Sequence, residues 1–131
     1  TPWIAALLLL LAALDPVGAA LVQRVAPNYR VAAILPGNGW ALGEADQRTH
    51  TIWLNPWSIA AAGGDDWAIV GACTIVHEAA HLRYPGAEHE VAFALGYVCL
   101  DRLGASTALK DAVYNQMTAM IPPVREREHD D

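Results

Sequence analysis

Asp66-Trp67-Ala68-Ile69-Val70-Gly71-Ala72-Cys73-Thr74-Ile75-Val76-His77-Glu78-Ala79-Ala80-His81-Leu82-Arg83-Tyr84-Pro85-Gly86 is the stretch on which the reading of this chain turns. Nearly every residue from Trp67 to Val76 is apolar. Asp65 or Asp66 supplies a helix cap and Pro85-Gly86 a stop, so the spacing predicts a helix over about 67–84. His77 and His81, four residues apart, then share one helix face about one turn from each other. Two imidazoles so placed can both reach one metal ion at about 2.0–2.1 Å. Glu78 projects about 100° around from His77. It can touch a water on the metal without ligating the metal, so one helical turn offers two ligands and a general base.

Upstream, residues 3–14 form an apolar run that predicts a first helix, and Asp15-Pro16 caps a second one that ends near Val25. Tyr29 to Leu35 reads as a strand, Pro36-Gly37-Asn38-Gly39 as a turn, Trp40 to Ala45 as a second strand and Thr49 to Leu54 as a third. Thr51 and Trp53 alternate with Ile52 and Leu54 along that third strand. An open edge there would let an extended peptide pair with it. Asn55-Pro56 stops the strand, and Trp57 to Ala62 holds one or two helical turns before Gly63-Gly64. Downstream, a helix is predicted over 87–103 and ends at Gly104. A last helix is capped by Ser106 and carries Leu109, Val113, Met117 and Met120 at helical spacing. The expected class is α+β, with a small, mostly antiparallel sheet and the His77–His81 helix. Residues 1–28 form an apolar helical segment, residues 29–121 a metal-binding domain, and residues 122–131 a charged, disordered tail.

The chain has 131 residues, of which 54% are hydrophobic and 17% charged, with net charge -6. That length carries one core without staples. Its eight Lys and Arg are scattered, so no nucleic-acid partner is expected. The run 3–14 is short of the roughly 20 residues a bilayer span needs, and no basic segment precedes it as in a secretory signal. It is expected to be a buried helix, packed on the domain or on a protein partner, with membrane contact as the alternative. Compartment is not indicated beyond a soluble domain. Cys73 and Cys99 read as two buried free thiols.

At the motif the sequence resembles a family. Thr74-Ile75-Val76-His77-Glu78-Ala79-Ala80-His81-Leu82 looks like the catalytic helix of zincin metallopeptidases. Thr49-His50-Thr51-Ile52-Trp53-Leu54-Asn55-Pro56 looks like the strand that precedes it in small zincins and borders their substrate cleft. Glu88-His89-Glu90-Val91-Ala92-Phe93-Ala94 resembles the next helix of short gluzincin-like proteins, where a Glu supplies the third ligand. The likeness spans about residues 29–103. It departs at Arg83, where the extended pattern has an apolar residue, and at Ala87, where metzincins have a third His. The resemblance implies a minimal zincin-like domain, Zn2+ as cofactor and a peptide or protein substrate.

The site is expected to be built as follows. His77 and His81 are metal ligands and Glu78 is the base. Glu90 is preferred over His89 as third ligand, because Glu90 shares a stripe with Ala94, Tyr97 and Asp101 and because a helix N-terminus favours a carboxylate over a cation. His89 and Tyr97 are candidates for an oxyanion donor or for a supporting role beside the ligands, with Tyr84 and His50 behind them. Trp53 and Trp57 are candidates for an apolar subsite. If Glu90 faces the metal, Cys99, nine residues on, points about 180° away, so no bridge to Cys73 is expected. The function expected is a small zinc peptidase. The alternatives are a zinc hydrolase acting on a non-peptide amide, and a non-catalytic structural or assembly protein that keeps a zincin-type zinc site.

Overall fold

The computed structural model describes residues 2–37, 39, 41–86 and 89–119. The proposed tail 122–131 lies outside them. The order is α1 (Pro2–Leu14), α2 (Pro16–Val25), β1 (Asn28–Val31), β2 (Gly43–Asp46), β3 (Thr51–Leu54), α3 (Pro56–Gly63), a 3-10 turn (Gly64–Asp66), α4 (Trp67–Arg83), α5 (His89–Arg102) and α6 (Thr107–Ala119). The class is α+β.

Helix boundaries follow the local chemistry closely. Asp15 Oδ1 accepts from the Gly18 amide at 3.2 Å, with Pro16 opening α2. Asn55 Oδ1 accepts from the Ser58 amide at the start of α3, and its Nδ2 donates to the Ala33 and Gly39 carbonyls at 2.9 Å each. A 1% exposed Asn thereby has its amide satisfied at both ends. Ser106 Oγ accepts from the Leu109 amide at 3.1 Å and caps α6. Ahead of α4 the expectation is modified: residues 64–66 form a 3-10 turn, and Asp66 makes no side-chain cap bond.

The sheet departs from the mostly antiparallel expectation. Its order is β1-β3-β2: β2 and β3 form an antiparallel hairpin, while β1 pairs with β3 in parallel, Tyr29 opposite Ile52. β3 is therefore the central strand, paired on both sides, and has no open edge for a peptide. Among the described residues the open edges belong to β1 and β2.

α4 is the axis of the molecule. Every residue from Val70 to Ala80 is buried. α1, α2, α3 and α5, with β2 and β3, all pack on it. Two glycines allow the close approaches. A Cβ on Gly71 would meet Leu7 Cδ1 of α1 at 2.9 Å, and one on Gly18 of α2 would meet Val76 Cγ2 at 2.9 Å. Ile4, Leu7, Leu11, Val22 and Val25 belong to the same apolar cluster as Ile52, Leu54, Ile75 and Val76. The N-terminal run is thus a packed helix, with Leu9 and Leu14 on its exposed side. Asp15 reaches further: it accepts from Arg102 Nη1 at 2.8 Å and so ties the α1–α2 corner to the end of α5.

The run Pro56–Arg83, not considered from the sequence, is apolar and long enough to cross a membrane by composition, and 44% of its most apolar window is buried within the protein.

Candidate metal centre

α4 and α5 form a hairpin, and the centre sits where its arms meet near the connecting turn. His77 Nε2 and His81 Nε2 are 3.3 Å apart. His89, in the first turn of α5, joins them, and one donor atom from each of the three lies within 4.8 Å of the other two. The His81 and His89 ring centroids are 4.9 Å apart, as are those of His77 and His81. Phe93, one turn after His89, packs edge-on against His77 at 5.2 Å and also borders His89.

The donor set fits a small transition-metal ion. Two ligands about 2.05 Å from a tetrahedral metal are about 3.35 Å apart, which is the separation of the His77 and His81 nitrogens. His89 adds a third donor within 4.8 Å of the other two. Burial, then the neighbouring His81 and His89, lower the His77 pKa to about 3, so the ring is the neutral ligand a metal requires. Its Nδ1 is buried and has no hydrogen-bond partner among the described residues, although it lies beside the Ala92 carbonyl. A ligating imidazole usually donates that second N–H to a carbonyl. His77 is buried, His81 half-buried and His89 exposed, so the site opens to solvent on the α5 side.

Glu90 is not one of the three gathered donors, and α5 shows why. Its buried residues are Ala92, Gly96, Cys99 and Leu100, a stripe that extends back to His89. Glu90, Ala94, Tyr97 and Asp101 are all exposed. The polarity of that stripe marks the solvent face of the helix. A helix N-terminus disfavours a cation, but an imidazole that ligates a metal does so in its neutral form. The inference about the thiols fails with it. Cys73 and Cys99 are free, as expected, yet they face each other with Sγ atoms 2.7 Å apart.

Glu78 is buried and points to the sheet side of α4, where its Cγ lies 3.3 Å from the Cβ position of Gly43. Burial, then the negative charge of Glu44, push its pKa up to about 8. Glu44 on β2 accepts from the Gly37 amide at 2.9 Å. The sequence reading passed over it, because a Glu after a glycine-rich turn reads as an ordinary surface residue.

The remaining candidates lie elsewhere. Tyr97 is about half exposed, with Lys110 Nζ 5.3 Å from its ring centroid. Tyr84 is exposed under Arg83. His50 takes a left-handed backbone, φ 53°, and its Nε2 lies 2.6 Å from the Val25 carbonyl oxygen. Trp57 is exposed, and Trp53 stacks under Arg30. Neither tryptophan lines the apolar cavity of about 390 Å³ between α4, α5 and α6, whose walls include Cys73, His77, Phe93, Tyr97, Val113 and Tyr114. Comparison with protein-family models, with curated proteins and with solved structures found no match.

Proposed function

We propose that this chain is a zinc-dependent hydrolase of zincin type that cleaves peptide bonds, with His77, His81 and His89 as the metal ligands and Glu78 as the general base. The convergence of three histidines from two helices, open on one side, carries the reading. Three imidazoles are a donor set that suits zinc, which would supply Lewis acidity toward a water and a carbonyl oxygen when bound. Glu78 is next to His77 in sequence but outside the donor set, as a base must be. In the metal-free protein burial and Glu44 favour its protonated form; a cation bound by the neighbouring histidines would favour the carboxylate, which could then take a proton from water and hand it to the leaving amine. Glu44 helps to set that basicity through its charge. β2, the sheet edge beside Glu78, offers main-chain groups along which an extended peptide can lie.

The test is metal analysis of protein purified without added metal, followed by digestion of a peptide library with and without a chelator. About one zinc per chain is expected, with cleavage abolished by the chelator. Glu78→Gln should keep the metal and lose roughly 10²–10⁴-fold in rate. Equal cleavage by wild type and Glu78→Gln would refute the mechanism. Bound zinc with no cleavage by either would make the centre a structural one.

A further inference from the structure

The helix face that carries His77 and His81 bears another reactive group, one turn earlier. Cys73 Sγ lies 2.7 Å from Cys99 Sγ across the α4–α5 interface. A covalent S–S bond is about 2.05 Å, so the two sulfurs need to close by only about 0.65 Å. The helices are close at this level. A Cβ on Gly96 would lie 3.6 Å from His77 Cβ and 3.8 Å from the Cys73 carbonyl oxygen. Both thiols are buried, but Cys73 forms part of the wall of the apolar cavity between α4, α5 and α6, which gives a small reagent a route to it. Cys99 lies behind it, against the Asp15–Arg102 ion pair.

We propose that Cys73 and Cys99 are a redox pair that closes to an intrachain disulfide between α4 and α5, and that closure tightens the three-histidine centre. The oxidant is a small disulfide. The Cys73 thiolate attacks one of its sulfurs, forms a mixed disulfide and releases the other half as a thiol. Cys99 then gives up its proton, attacks the Cys73 sulfur and expels the second half as a thiol. Two protein thiols are oxidised and one external disulfide is reduced to two thiols. The closed ring of chain, residues 73–99, contains all three donors, His77, His81 and His89. Cross-linking it removes conformational freedom that metal binding otherwise has to remove.

The experiment treats reduced, metal-free full-length protein with oxidised glutathione, counts thiols, and maps peptides by mass spectrometry without reduction. The expected product is a monomer with no free thiol, a mass lower by two hydrogens, and a peptide joining Cys73 to Cys99. Its melting temperature should rise by about 10 °C. Its zinc affinity, read by competition with a chromophoric chelator, should rise about tenfold over the reduced form. The variant Cys99→Ala should stop at one glutathione on Cys73. Two thiols left free, a separate glutathione on each, or a disulfide-linked dimer would overturn the pairing. A bridge with unchanged zinc affinity would overturn the link to the centre. Zinc bound by neither form would sink the metal reading while leaving the thiol result to stand. Should Cys99→Ala not fold, the wild-type peptide map alone decides.

Discussion

Replacing His89 and Glu90 one at a time with alanine separates two readings of α5 that differ by a single residue. Both side chains are exposed in the first turn of the helix, so neither truncation opens a cavity, and the fold should survive both. His89→Ala removes one of three gathered nitrogens. Structural zinc sites with four protein ligands are worth roughly 10–16 kcal/mol, so one donor carries about 3 kcal/mol, or roughly 100-fold in affinity. Glu90→Ala removes an acid near a helix N-terminus, which costs at most about 1 kcal/mol of stability and nothing at the metal. Competition against a chromophoric zinc chelator, with circular dichroism to confirm folding, reads the difference. A roughly 100-fold loss in His89→Ala with Glu90→Ala within about twofold of wild type is expected. The reverse pattern would refute the argument from the buried stripe of α5 and restore Glu90 as a ligand.

In the metal-free protein, burial and then the neighbouring histidines hold His77 at about 3 against 6.5, while burial and then Glu44 hold Glu78 at about 8 against 4.5. The folded state binds fewer protons at His77 between these limits and more at Glu78, so stability should rise with pH up to 4.5, level off to 6.5, then fall toward about 8. Urea melts across pH check this, and Glu78→Gln should remove the alkaline fall. Asp15→Ala loses both the α2 cap and the Arg102 ion pair at a buried site, and should cost about 2–4 kcal/mol in the same assay, with no loss if the corner is loose. Leu7→Ala, on the buried face of α1 against Gly71, should cost about 3 kcal/mol, whereas Leu9→Ala, 72% exposed, should cost almost nothing; equal effects would mean that α1 is not docked on α4.

Local rules carried the sequence reading as far as local chemistry reaches. The caps at Asp15 and Ser106 and the stop at Pro85-Gly86 bound α2, α6 and α4 as expected, because each is decided within four residues, while Asn55, read only as the stop of β3, also caps α3. The pairing of His77 with His81 was equally legible, being a property of one helical turn. What escaped was set by distant partners. The parallel pairing of β1 with β3 joins segments about 20 residues apart, and no local signal reports it. The facing of α5 was misread because its buried stripe, apart from Leu100, is made of small residues, Ala92, Gly96 and Cys99. These give little hydrophobic contrast, while Glu90, Tyr97 and Asp101 looked purposeful. Glu44 acquires its influence on Glu78 only when β2 is laid beside α4.

That α4 is enclosed by α1, α2, α3, α5, β2 and β3 has a consequence for how such a protein can diversify. His77, His81 and Glu78 are inseparable from the most crowded strut of the fold, and a substitution beside them must also satisfy neighbours from several directions. α5 is different: it packs on α4 with one face, meets α6 only lightly, and otherwise faces water. Change should therefore accumulate through α5 and the α6 helix behind it, around a helical turn that packing constrains from most sides.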